Sequence, residues 1–213
     1  MKIISTNLAV ERTIHWQGKT VTTGIYKKPT DEPLYLAAES VRGDCVANRA
    51  VHGGLDKACY LYGHNHYPFW QAHFPNLDWE YGMLGENLTI DKLEEAELLV
   101  GSIYRVGEAT VQVSRPRQPC FKFAAKFGDS KAPQLMLDHL LTGAYVRVLE
   151  PGEVQIGDSF QLIETPTPAV SMQELLQMMF QFDPAQDRIR AEEILENSSV
   201  SDSDKKYIRR RLT

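Results

Sequence analysis

The apolar positions of the chain follow two rhythms. Through the first three quarters they come in short alternating runs broken by turn residues, the period-two signature of half-buried strands. Lys2–Leu8 and Thr13–Trp16 read as strands, with a turn at Gln17-Gly18-Lys19 and a further β-rich run from Val21 to Tyr26. Ala58–Tyr62, Ser102–Val106, Ala109–Val113, Tyr145–Leu149 and Phe160–Ile163 continue the series. Gly107-Glu108 supplies a hairpin turn and Pro151-Gly152 another reversal. Short strands with regular turns predict a closed or nearly closed β-barrel rather than a parallel sheet. Two helices are expected to interrupt it. One is aromatic and covers about His64–His73. The other follows Ser130, carries Leu135, Met136, His139 and Leu140, and stops at Gly143.

After the stiff Thr165-Pro166-Thr167-Pro168 the rhythm turns helical. Ser171 and Glu174 form a capping box ahead of Leu175–Phe180. Asp183-Pro184 predicts an N-cap and a first-turn proline for a second helix containing Ile189, Ile194 and Leu195. Ser201 and Asp204 open a third, ending at Leu212. The expected organisation is therefore mainly β with α: a β-barrel domain over residues 1–164, a linker at 165–170 and a small three-helix domain at 171–213. So short a tail makes a marginal core alone, so its helices should pack together or on the barrel. Its methionines fit core packing, and also a partner-binding face.

Composition narrows the function. The 213 residues are 24% charged and 43% hydrophobic, as in a globular protein. A net charge of -5 argues against general nucleic-acid binding, which needs a basic surface. Three cysteines make no disulfide framework in a chain of this size. No apolar run approaches the ~18–20 residues that span a bilayer, and polar Ser5-Thr6-Asn7 interrupts the start before a signal-peptide core could form. The expectation is a cytoplasmic enzyme without nucleic-acid or membrane partners.

The most informative segment is Ser114-Arg115-Pro116-Arg117-Gln118-Pro119-Cys120. Its prolines hold the backbone extended and disfavour both a helix and a continued central strand. Arg115 and Arg117 thus sit near Cys120 on a stiff loop, where cationic neighbours favour the thiolate, the form that attacks electrophiles or binds soft metals. The same residues also fit a buried cysteine beside a solvated loop. Three further segments are chemically equipped. Arg42-Gly43-Asp44 leads to Val51-His52-Gly53-Gly54, where adjacent glycines bare backbone N–H groups to an oxyanion, His52 can donate or accept, and Lys57 adds charge. Gly85-Glu86-Asn87 could present Asn87 to a ligand while Glu86 handles protons; it also fits an ordinary turn. Thr23 and Lys27 offer a hydroxyl and a cation to an anion, without P-loop spacing. Cys45, His52 and Cys59 lack the close pairs of a structural zinc site.

Taken in order, Gly43-Asp44, Val51-His52-Gly53-Gly54 with Lys57-Ala58, Gly85-Glu86-Asn87-Leu88 and the Arg-Pro-Arg-Gln-Pro-Cys run ending at Cys120 resemble the MOSC domain family. The three trailing helices resemble the 3-alpha domain of its YiiM-type bacterial branch. The resemblance implies a β-barrel holding a molybdenum-pterin cofactor, with Cys120 as the ligand to molybdenum. It implies reduction of N-hydroxylated compounds, including base analogues such as 6-hydroxylaminopurine, with electrons from a separate reductase. The chemistry of the residues agrees. A soft thiolate suits a metal already carrying dithiolene sulfurs, and arginine recognises the pterin phosphate with a bidentate fork. Arg115 and Arg117 are the leading cofactor contacts, with Lys27, Thr23, Gly53, Gly54, Asn87 and Lys57 as further candidates. His52, Asp44 and Glu86 are the candidate proton donors. Two rivals share these features: a carrier of the cofactor or of sulfur on Cys120, without reductase activity of its own, and a metal-free anion-binding module.

Overall fold

The structure, a computed structural model, describes residues 1–47 and 53–213. Alternating runs build an eight-stranded sheet in the order β13-β9-β10-β11-β7-β8-β1-β4. Its strands are β1 (Ile3–Leu8), β4 (Lys28–Thr30), β7 (Cys59–Gly63), β8 (Leu88–Ile90), β9 (Ile103–Val106), β10 (Ala109–Pro116), β11 (Ala144–Glu150) and β13 (Gln161–Glu164). The sheet is mixed, because β7 and β8 pair in parallel while the other ladders are antiparallel. It curls into a half-barrel with β13 and β4 at its ends. Main-chain bonds join the start of β1 to the approach to β13: Ile3 N donates to Asp158 O, and Gly157 N to Ile3 O, both at 2.9 Å. A hairpin of β2 (Arg12–Trp16) and β3 (Lys19–Thr23) stands apart, and β12 (Gly152–Val154), β5 (Leu34–Ala37) and β6 (Ser40–Val41) form a small third sheet. The strands β4, β5, β6 and β12 are too short to show a period in the sequence.

The proline run behaves differently from the sequence expectation. Strand β10 continues through Ser114 and Arg115 to Pro116, with Arg115 opposite Tyr145 and Pro116 opposite Ala144. Strand β9 pairs with β10 over Ala109–Gln112. Beyond that point the ladder runs to β11 alone, so a proline at the strand end removes no needed donor. A register shift between Val113 and Arg115 re-aims this last stretch.

The described residues form six α-helices: α1 (Tyr67–His73), α2 (Phe121–Phe127), α3 (Ala132–Asp138), α4 (Met172–Phe180), α5 (Arg188–Glu196) and α6 (Asp202–Leu212). Helix α2 goes unannounced in the sequence, being seven residues directly behind a proline-rich run. Helix α3 ends at Asp138, well before Gly143, with Leu140 in the left-handed region at φ 57°. Gly143 instead opens the way into β11, where a Cβ would lie 2.3 Å from Leu61 O. Asp183 holds a turn by accepting from Ala185 N at 2.9 Å, and α5 proper starts only at Arg188. Ser171 caps α4 by accepting from Glu174 N at 3.1 Å, while the Glu174 carboxylate turns to Arg190 rather than back to the cap.

Two apolar clusters hold these elements. Ile3, Leu36, Leu61, Val111 and Val146 of the sheets form one continuous core with Met172, Leu175, Met178 and Met179 of α4, Ile194 of α5 and Ile208 of α6. The methionines are therefore core, and the tail packs on the half-barrel. The stretch between them is tied down as well, since Val100 N donates to Val170 O and Met172 N to Leu98 O. A second, aromatic cluster gathers Tyr60, Tyr62, Tyr67, Trp70, Phe123 and Phe127 between the sheet, α1 and α2. Among the described residues, no helix is long and apolar enough to cross a membrane.

Candidate functional site

Strand β10 and helix α2 place Cys120 between them. The cysteine is extended (φ -126°) and its carbonyl accepts from Phe123 N at 2.9 Å, so the backbone turns directly from loop into helix. Its half-buried side chain lines an open cleft. Thr23, Lys27, Asp44, Lys57, Asn87 and Arg117, all singled out in the sequence, line the same cleft. They come from five separate segments, which the curl of the sheet brings together. A second cavity adjoins it and shares Cys120, Gln118, Lys57 and Tyr145.

One wall of the cleft is a buried polar network. The Lys27 ammonium pairs with Asp44, and both side chains are below a tenth exposed. Asp44 also accepts from Ala9 N and from Asn87 Nδ2, each at 3.0 Å. Asn87 is fixed in turn by β7, with Tyr60 N donating to its Oδ1 at 3.2 Å and its own N donating to Tyr60 O at 2.9 Å. With three donors satisfied by its carboxylate, Asp44 serves to hold Lys27 and Asn87 rather than to deliver a proton. On the facing side Arg117 is buried, donates to Leu84 O, and lies 5.0 Å from the ring centres of Tyr60 and Phe123. Lys57 sits on a 3-10 turn that Arg147 and Ser114 hold through Asp56. Burial, and then the Arg115 charge, lower its pKa below the ordinary lysine value. Together Lys27, Lys57, Arg117 and Lys122 make the lining cationic.

Other expected residues lie elsewhere. Glu86 is wholly buried away from the cleft, where Oε1 accepts from Gly82 N and Thr89 Oγ1 at 2.9 Å and from the Tyr67 hydroxyl. It braces the turn that precedes β8 and is not part of the cleft lining. Arg115 is buried too, but its guanidinium pairs with Asp204 of α6 and lines the second cavity. Gly53 and Gly54 are not part of the lining; Gly54 adopts φ 94° to start the 3-10 turn. His52 lies outside the described residues.

Several residues that line the cleft had no role assigned from sequence. Cys45 follows Asp44 directly, Lys122 lies two positions after Cys120, and Tyr60 and Tyr145 face inward from β7 and β11. Their neighbours in the sequence were the available signal. Lys126, on α2, carries none: its stem is partly exposed, yet its ammonium is buried and donates to Ile25 O at 3.0 Å and Gly82 O at 2.9 Å. Burial pulls its pKa down to about 7, with Arg117 and Lys27 adding to the fall and Glu86 opposing it. Gly24 is also a wall element, since a Cβ there would stand 1.8 Å from Cys45 O.

The family model of the MOSC domain matches residues 48–161. YflK of Bacillus subtilis is 36% identical over 201 residues, covering 94% of this chain and 90% of that protein. YiiM of Escherichia coli is 36% identical over 143 residues, which are 66% of this chain and 64% of that one. The crystal structure of YiiM from Geobacillus stearothermophilus superposes with a TM-score of 0.80 at 29% identity, covering 100% of this chain and 99% of that chain. The YiiM crystal structure from Escherichia coli gives 0.76 at 26% identity over 100% and 92%. The matched stretch contains β7 through β12 and the loop bearing Cys120, which build one part of the cleft while Thr23–Lys27 and Asp44–Cys45 precede it, and the chain belongs to the MOSC domain family.

Proposed function

We propose that this protein binds a molybdenum-pterin cofactor through Cys120 and uses it to reduce N-hydroxylated compounds to amines, drawing electrons from a separate reductase. The meeting of Cys120 with Thr23, Lys27, Asn87 and Arg117 in one cleft carries the reading. The donor set fits such a group: a thiol for a soft metal, four cationic side chains for an anionic tail, and a wall in which Gly24 lets the chain pack directly against Cys45. When bound, the cofactor supplies the two-electron chemistry that cleaves an N–O bond. The protein's part is binding, orientation and proton supply. Arg117, fixed by Leu84 O and two aromatic rings, and Lys27, fixed by Asp44, are charges that need no reorganisation when an anion arrives. Converting a hydroxylamine to an amine and water consumes two electrons and two protons. Lys57, made more acidic by burial and by Arg115, is the lining group suited to hold a proton and give it up. A protein of Gibberella moniliformis named Reductase matches this chain at 34% identity over 158 residues, which are 73% of this chain and 28% of that longer protein. That name supports an oxidoreductase role.

The test is to express wild type and Cys120→Ala in a host that makes the cofactor, and to measure molybdenum per protein and reduction of 6-hydroxylaminopurine with a chemical electron donor. Wild type should carry molybdenum and form the amine; Cys120→Ala should do neither. Molybdenum without turnover would favour the carrier reading, and equal molybdenum in both proteins would remove Cys120 as ligand.

A further inference from the structure

We infer that Asp204 is a positioning residue: from the tail helix α6 it fixes, through Arg115 and Gln118, the loop that presents Cys120 to the cleft. Asp204 is wholly buried in the first turn of α6. Its Oδ1 accepts from Arg115 Nη2 and, at 3.5 Å, from Gln118 Nε2. Its Oδ2 accepts from Ser201 Oγ at 2.7 Å, and that hydroxyl caps the helix by accepting from Asp204 N at 3.2 Å. Both carboxylate oxygens are therefore engaged, and the group cannot rotate away from the loop. Arg115 Nε has no hydrogen-bond partner among the described residues, so the bond to Asp204 is what anchors the guanidinium. Arg115 and Gln118 bracket Pro116 and Arg117, and Cys120 follows Gln118 across one more proline. With backbone freedom already cut by the prolines, two anchored side chains leave the thiol little choice of position.

A buried ion pair is seldom more stabilising than apolar residues of similar size, and its best-attested use is to fix geometry. This one joins residues 89 positions apart, one in the tail and one in the motif, and it backs the second cavity beside Cys120. The tail thereby becomes part of the site's construction. The inference goes beyond the reductase reading and concerns the placement of the thiol itself, so its test uses the metal-free protein.

Alkylation of Cys120 by iodoacetamide in the folded full-length chain is followed by mass spectrometry on the tryptic peptide Gln118–Lys122. Asp204→Ala should change the rate by about fivefold to tenfold, within the range of couplings in one shared network. Asp204→Asn, which keeps an accepting oxygen for the loop, should restore most of the wild-type rate. In an Arg115→Gln background, Asp204→Ala should have little further effect. Ile208→Ala, a core truncation on the same helix, should lower the melting temperature while leaving the rate in the folded state unchanged. Should Asp204→Ala fail to fold, the apolar pair Arg115→Met with Asp204→Leu takes its place and should shift the rate equally. Equal effects of Ile208→Ala and Asp204→Ala, additive effects of Arg115 and Asp204, or an unchanged rate in the apolar pair would each overturn the inference. Loss of the reductase reading would leave these rates untouched.

Discussion

Lys126 offers the sharpest electrostatic test of the site's surroundings. Its ammonium ties α2, the helix that begins at Cys120, to Ile25 in the cleft wall and to Gly82 in the turn braced by Glu86. In the unfolded chain this lysine titrates near 10.5, and in the folded protein near 7. Between those values the unfolded state binds more protons, so stability from this group rises with pH and is weakest below about pH 7. The full shift corresponds to about 5 kcal/mol, of which roughly 3 kcal/mol is gained from about pH 7 to about pH 9.5, an upper bound. Because the stem is partly exposed, about half of that is the working expectation. Lys126→Met removes the titration and also leaves two carbonyls without their donor, so the absolute stability at one pH is ambiguous. The pH dependence is not. Urea unfolding of both proteins across about pH 6 to about pH 9.5 should show wild type gaining on the variant as pH rises. Parallel curves, or wild type losing ground, would refute the reasoning.

Asp44→Asn leaves the buried Lys27 ammonium without its counter-charge and should cost about 3–5 kcal/mol in urea unfolding; a change near zero would show that the pair is solvated. Gly24→Ala forces a methyl into Cys45 O, so thermal melts should show a loss of about 1–3 kcal/mol, together with weaker cofactor retention. His66 is bonded to Glu95 at 2.9 Å and its pKa is raised; burial acts against its charge, but Glu95 outweighs it. Its contribution is thus complete below about pH 6.5 and is lost as pH climbs through the higher folded value. The stability difference between wild type and His66→Gln should shrink over that climb, and a difference that grows with pH would contradict the assignment.

Much of the site was legible because its central element is contiguous. Cys120, its two arginines and its prolines announce themselves in seven adjacent residues, the family resemblance joined Asp44 and Asn87 to them, and Lys27 stood out by its charge. What escaped detection depends on distance and burial. Gly85-Glu86-Asn87 reads as an exposed turn, yet its middle residue is wholly buried because Gly82, Thr89 and Tyr67 all donate to it. Arg115 reads as a ligand for phosphate, and only the folded chain reveals that Asp204 has claimed it. The barrel was legible from alternation, but the parallel pairing of β7 with β8 was not. That pairing brings together strands separated by α1 and a long turn, and no local pattern records it. The continuation of β10 through Pro116 was misread for a similar reason. A proline forbids a ladder on one side only, and the sequence does not say which side is empty.

Because the helical tail and the half-barrel share one apolar interior, they are expected to unfold in a single transition. Cutting the chain ahead of Met172 would strip Leu175, Met179 and Ile208 from contact with the sheet and expose a greasy surface to water. The final forty-odd residues are thus no optional appendage. Evolution could trade surface charges along them freely, but an insertion that slid one helix by a turn would be felt at a sulfur atom in a different part of the fold.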